Sequence, residues 1–255
     1  MISLVSPAKT LNFDPIKNNI KCSLPYFLES SKELVDILRQ KSENELSILM
    51  KLSENLSKVN FLRYKNWNLP FNQSNAKPAA FAFEGSVYKG LNISSFSQDE
   101  LKYSQNNFRI ISGLYGILRP LDLIMPYRLE MGTKLKNSKG ADLYSFWKSV
   151  LTNHLNYELN EYDSKIILNL ASNEYSKAID FKKINAKVIT PIFKDWKNGK
   201  YKVISFFAKK ARGMFVAYQI KNQIKDVSDL CYFSEDGYKY CKNESNSNEI
   251  VFLRK

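Results

Sequence analysis

The 255-residue chain has one histidine, three cysteines and nine glycines. These shortages exclude several kinds of chemistry. A single histidine (His154) and no CxxC or HExxH spacing leave no soft-metal site in the usual patterns. The same histidine, with no serine or cysteine elbow motif, gives no hydrolase triad. Few glycines and neither GxxxxGK[ST] nor GxGxxG argue against the common nucleotide loops. No apolar run reaches the roughly 18 residues of a membrane helix. The start, Met1-Ile-Ser-Leu-Val-Ser6, lacks the basic and long apolar regions of a signal peptide. Cys22, Cys231 and Cys241 are too scattered for a disulfide framework, which suits a reducing cytoplasm. Cys231 and Cys241 could meet across a late hairpin, or simply stay reduced and structural.

Acidic residues are also scarce: 25 against 38 Lys and Arg, a formal charge of +13. The excess is concentrated. Residues 177–225 hold 13 cations opposed only by Asp180 and Asp195, a net +11, while the rest of the chain nets +2. A polyanion partner explains such a concentration better than a general drift of composition does. With 44% hydrophobic and 13% aromatic residues, the chain has material for a sizeable core and is not disordered.

Residues 2–5 read as a buried strand. Helical spacing follows in Leu34, Ile37 and Leu38, in Leu46, Leu49 and Met50, and in Leu56, Val59 and Leu62. Ser42 to Glu45 and Ser97 to Glu100 each form a capping box, opening one helix each. Residues 66–78 read as a loop and 79–83 as a short strand. Residues 112–132 are broken by Gly113, Gly116, Pro120, Pro126 and Gly132. A helix is expected over 141–159 and strands over 166–170, 188–193 and 203–207. Asn198-Gly199 marks a hairpin. A basic helix over 208–223 and short strands near Tyr232, 238–240 and 250–253 complete the chain. One mixed α/β (α+β) domain over residues 1–255 is the expected fold.

Three segments carry candidate chemistry. Ser6-Pro-Ala-Lys-Thr10 follows a strand end, where α/β proteins hold ligands, and Lys9 there could meet a phosphate; a strand-ending turn with a solvated Lys is the alternative. Gly113 and Gly116 lie between two apolar stretches and loosely match a helix-hairpin-helix, whose amides grip phosphates. Arg119, Tyr127 and Arg128 are the polar side chains nearby, and a packed Gly/Pro loop is the competing reading. Lys209, Lys210 and Arg212 would crowd the start of the basic helix, where anions bind best. His154 reads as solvated or capping.

Taken in order, Ser6-Pro-Ala-Lys-Thr-Leu11, Phe83-Glu-Gly-Ser-Val-Tyr-Lys-Gly-Leu91, Ser112-Gly-Leu-Tyr-Gly-Ile-Leu-Arg-Pro-Leu-Asp122 and Pro126-Tyr-Arg-Leu-Glu-Met-Gly132 resemble the YaaA family of bacterial peroxide-stress proteins. Asp142-Leu-Tyr-Ser-Phe-Trp147, Asn169-Leu-Ala-Ser-Asn-Glu-Tyr175 and Ser205-Phe-Phe-Ala-Lys-Lys-Ala-Arg-Gly213 extend the resemblance, which leaves residues 226–255 without a motif. It implies a single cytoplasmic domain with an unusual mixed sheet flanked by helices, a positively charged cleft and a helix-hairpin-helix-like element. It further implies DNA binding and a limiting of free iron under peroxide stress.

The leading expectation is a DNA-binding protein of the peroxide response, holding duplex or structured DNA through phosphates without sequence preference. Lys9, Gly113, Gly116, Arg119, Arg128, Lys209, Lys210 and Arg212 would line its interface. It would need no cofactor and no metal, would not contact a membrane, and would be a monomer. The alternative is an enzyme acting on a nucleotide, nucleobase or phosphorylated small molecule in the same cleft. Tyr127, Glu130 and Glu174 would then be catalytic candidates beside Lys9, Arg128, Asp142 and Asn169. Oxygen-only iron binding is the third and weakest reading.

Overall fold

The computed structural model describes residues 1–16 and 20–255. Eight strands build one mixed sheet. They are β1 (Ile2–Val5), β2 (Phe108–Ser112), β3 (Gly116–Leu118), β4 (Ile166–Asn169), β5 (Lys187–Lys197), β6 (Lys200–Lys202), β7 (Lys239–Tyr240) and β8 (Glu249–Arg254). Their order is β7-β8-β5-β4-β1-β2-β3, with β6 paired to β5. The inner strands β8, β5, β4, β1 and β2 run parallel, and β3, β6 and β7 are antiparallel additions. Strand β1 is apolar apart from Ser3 and buried throughout, as a central parallel strand covered on both faces should be.

Seven helices matter for the site: α1 (Leu28–Arg39), α2 (Glu43–Met50), α3 (Glu54–Asn66), α4 (Ser86–Leu91), α5 (Gln98–Asn107), α6 (Leu143–Leu159) and α7 (Ser205–Lys221). Side chains alternate across a strand, so the partners of neighbouring residues tell which helix covers which face. Ser3 donates to Gln219 of α7. Arg109, level with Leu4, reaches the other way to Glu158 of α6, 2.8 Å. Helices α7 and α6 therefore cover opposite faces. Helix α7 also packs on α4, and the crossing is close because glycines meet there. A Cβ on Gly90 would stand 2.1 Å from the Lys210 carbonyl oxygen, and one on Gly213 only 1.8 Å from that of Val87.

Both capping boxes form, with Ser42 and Ser97 accepting from Glu45 and Glu100. The Asn198-Gly199 hairpin also forms, both residues having positive φ (55° and 78°). Several expectations are overturned. Residues 79–83 do not form one strand. Ala79–Ala82 is a helical turn, consistent with alanine's helix preference, and Phe83–Glu84 alone pairs with Thr10–Leu11. Residues 203–207 are not a strand either: β6 stops at Lys202 and α7 opens at Ser205. Tyr232 lies in a turn. Helix α3 exposes Leu56, Val59 and Leu62 and buries Ser57, Asn60 and Tyr64 instead. Its inward polar groups all have acceptors: Ser57 donates to the Glu43 carbonyl, Asn60 to that of Leu56 and Tyr64 to that of Arg128.

Candidate functional site

The strands β1, β2 and β4 end side by side, and the segments that continue them form a polar crevice. Such carboxyl-end positions, between parallel strands, are where open α/β sheets place ligands. Ser6, just past β1, accepts a hydrogen bond from the Ser172 N–H (2.9 Å), just past β4. The Tyr88 hydroxyl of α4 donates to the Ser6 carbonyl (3.1 Å). Gly85, which opens α4, lies against Ala8: a Cβ there would be 3.2 Å away. Two strand ends and one helix are thereby locked together.

Charges of both signs converge on this frame. Lys9 Nζ stands 2.7 Å from Glu130 Oε2 and Arg128 stands 3.0 Å from Glu130 Oε1. Glu174 accepts the Gly132 N–H at 2.9 Å, and its carbonyl accepts from the Tyr144 hydroxyl. Arg63 of α3 lies near enough that burial, reinforced by the like charge of Arg128, draws its pKa down. Glu130 therefore answers a local surplus of positive charge. Lys9 keeps 62% of its side chain exposed, so its bond to Glu130 is open to exchange with an incoming anion.

Beneath the charges lies a layer of tyrosines. Tyr127 shares a 2.7 Å hydrogen bond with Ser112, and its ring meets that of Tyr115 edge-on. Trp67 donates to the Tyr115 hydroxyl (3.0 Å). Burial raises the pKa of Tyr64, Tyr88, Tyr115, Tyr127 and Tyr175. All five stay neutral at physiological pH, so Tyr127 can donate a proton in a hydrogen bond but cannot serve as a phenolate base. Two polar atoms of the crevice have no partner among the described residues although both are buried: Arg128 Nε and Asn169 Oδ1. One is a donor and one an acceptor, and buried polar atoms of either kind are normally satisfied.

The crevice thus gathers Lys9, Tyr127, Arg128, Glu130, Asn169 and Glu174, six residues named from the sequence. It excludes others. Gly113 and Gly116 do not sit in a helix-hairpin-helix; they turn the β2–β3 hairpin and are buried. Gly113 carries the packing of the 129–130 backbone, where a Cβ would meet the Leu129 carbonyl at 2.3 Å. Gly116 needs its positive φ of 71° and lies under Trp147, whose indole donates to the Gly113 carbonyl (2.9 Å). Their amides are consequently not presented to a phosphate. Arg119 is held by buried Asp122 and the Leu24 carbonyl, with no bond to any crevice residue. Asp142 caps α6 by accepting from Ser145 (2.8 Å). His154 is packed on Tyr26 and Phe27, with Nε2 3.6 Å from Glu158, rather than solvated.

The basic helix also differs from expectation. Because α7 starts at Ser205, Lys209, Lys210 and Arg212 lie one to two turns inside it. Lys209 is exposed, Lys210 is 3.3 Å from Asp236, and Arg212 is partly buried with its pKa lowered by that burial. Nor does the stretch 177–225 share one surface. Lys187 and Lys197 open and close β5 and so lie roughly 33 Å apart at the usual rise.

Sequence reasoning missed Arg63, Tyr64, Ser112 and Ser172. Ser172 follows a strand end, which is a usable signal, whereas Arg63 and Tyr64 sit on a helix far along the chain and carry none. A separate cavity of about 500 Å³ is lined by Asn12, Asp14, Lys77, Phe83, Glu84 and Phe96 among others, and by none of the crevice residues. Among the described residues no group of three or more His, Cys, Asp or Glu could hold a metal ion, all three cysteines are free, and no helix is long and apolar enough to cross a membrane.

Comparison with known proteins places this geometry in a lineage. A family model described as peroxide stress protein YaaA matches residues 1–244. A UPF0246 protein of Saccharophagus degradans is 48% identical over all of both chains. Another from Hahella chejuensis is 50% identical over 100% of this chain and 99% of its own, and one from Aliivibrio fischeri 47% identical over 100% and 98%. On a match of that length and identity, the chain belongs to the YaaA family of peroxide stress proteins, also named UPF0246.

Proposed function

We propose that the protein binds duplex or structured DNA during peroxide stress, mainly through phosphates, and shelters it; limitation of free iron would be one route to that protection. The observation that carries this reading is the state of the cations in residues 177–225. Only Lys194 and Lys210 have a carboxylate partner among the described residues. Unneutralised lysines such as Lys197, Lys200, Lys202 and Lys209 line the far end of β5, β6 and the start of α7. That end also holds the carboxyl-end crevice, since β5 runs parallel to β4 and β1.

Phosphate contacts release counterions, so affinity must fall with salt. If those four lysines each meet a phosphate, raising salt from about 50 to 200 mM lowers duplex affinity roughly 100-fold. Fluorescence anisotropy with a labelled duplex measures it. Replacing Lys209 and Lys210 by Glu should weaken every duplex about equally. Affinity indifferent to salt would overturn the reading.

A second reading rests on the unpartnered Arg128 Nε and Asn169 Oδ1. A donor and an acceptor held ready beside Lys9, Glu130 and Glu174 suit a nucleotide, nucleobase or phosphorylated small molecule, on which Glu130 or Glu174 would act as general base. A thermal-shift screen of nucleosides and nucleotides, repeated with Asn169→Ala, tests it. No stabilisation by any of them, or equal stabilisation in the variant, would dismiss it.

A further inference from the structure

The β5–β6 hairpin carries a feature that phosphate binding does not require. Trp196 and Tyr201 face one another across the two strands, their ring centroids 4.9 Å apart. Trp196 is 45% exposed, whereas Trp67 and Trp147, the other two tryptophans, are buried at 2% and 0%. Lys197 and Lys200 pair across the next position toward the tip, both exposed. Lys255 Nζ hovers 5.9 Å from the Trp196 ring. The carboxylates nearby are already occupied. Asp195 is buried and held by Arg254 and Tyr238, and Glu244 is bound to Lys194 at 2.6 Å.

An exposed indole ringed by unneutralised lysines fits a ligand that offers flat apolar faces joined by negative charges. A duplex hides its base faces in its own stack, but unpaired nucleic acid presents them. Building on the DNA-binding reading above, we infer that the Trp196–Tyr201 face stacks an unpaired nucleobase while Lys197 and Lys200 hold the flanking phosphates. Stacking on aromatic rings is tolerant of base identity, so the preference is for unpaired structure and not for sequence. The two-residue turn at Asn198-Gly199 holds the four side chains in register, so little order has to be imposed on binding.

The experiment uses the full chain, a duplex, and the same duplex with an internal unpaired loop. Because the other two indoles are buried, tryptophan emission reports on Trp196. The looped DNA should quench it and bind about tenfold tighter than the plain duplex. Trp196→Ala should abolish quenching and the preference while leaving duplex affinity within about twofold, and Trp196→Phe should keep part of the preference. Lys197→Gln with Lys200→Gln should weaken both DNAs. Unchanged emission at saturating looped DNA, or a preference that survives Trp196→Ala, overturns the inference while salt-sensitive duplex binding still stands. Failure to bind either DNA at low salt defeats both.

Discussion

Substituting alanine for Gly213 puts a methyl group where α4 and α7 touch. That Cβ would lie 1.8 Å from the Val87 carbonyl oxygen and 2.7 Å from the Leu91 nitrogen. Both obstacles are backbone, which cannot rotate aside as a side chain could. The helices must part by roughly 1.5 Å to restore ordinary contact in a close-packed interior. Overpacking of this kind costs about 1–3 kcal/mol. Alanine returns about 1 kcal/mol through its higher helix propensity, so a net loss of about 1–2 kcal/mol remains. In a domain of this size that lowers Tm by roughly 2–8 °C. Gly90→Ala should behave similarly, its Cβ 2.1 Å from the Lys210 carbonyl. The double variant should cost less than the sum, because helices already parted for one methyl admit the second. Differential scanning calorimetry measures all three. A Gly213→Ala protein melting at or above the parent temperature would refute the close crossing.

Glu158 is drawn the other way from its surroundings: burial raises its pKa, but the hydrogen bond from His154 and the charge and hydrogen bonds of Arg109 outweigh it and hold the value at about 2. Its stabilising effect is therefore complete above the ordinary carboxylate pKa and lost as pH falls from there toward 2, about 3 kcal/mol in all. Urea melts between these limits should steepen in pH dependence for the parent and flatten for Glu158→Gln; identical profiles would contradict the triad. Arg254→Ala strands buried Asp195 with Tyr238 alone and should cost about 3–5 kcal/mol by urea denaturation. Pairing it with Asp195→Asn should recover part of that loss, and no recovery would mean the lost packing on Phe207 and Tyr238 dominates.

Local signals in the sequence were legible wherever the cause is local. Ser42 and Ser97 announce helix starts because a cap and its partner lie three residues apart, and Asn198-Gly199 announces a turn because its positive φ angles demand those residues. Misreadings occur where tertiary contacts decide. Phe206 and Phe207 look like strand residues, yet they form the first turn of α7. Leu56, Val59 and Leu62 mark a helix correctly but not its inward face, which Tyr64 and Ser57 take through hydrogen bonds to distant carbonyls. Gly113 and Gly116 suggest a phosphate loop by composition, while their small size actually serves Leu129 and Trp147. The crevice was half legible: Lys9, Arg128, Glu130 and Glu174 stand in dense motifs, but nothing before folding ties them to Arg63 or Ser112.

The pairing of β1 also governs the order in which the molecule can be assembled. Ser3 lies beside Phe108 on one side and Leu168 on the other, partners separated from it by about 100 and 165 residues. At a synthesis rate of about 5–20 residues per second, this apolar strand waits roughly 8–30 s for its second neighbour. Contacts of such long sequence separation also slow folding once the chain is complete. The crevice is consequently among the last parts to form, and a cell under oxidative stress must protect the unpaired strand until residues 166–175 arrive.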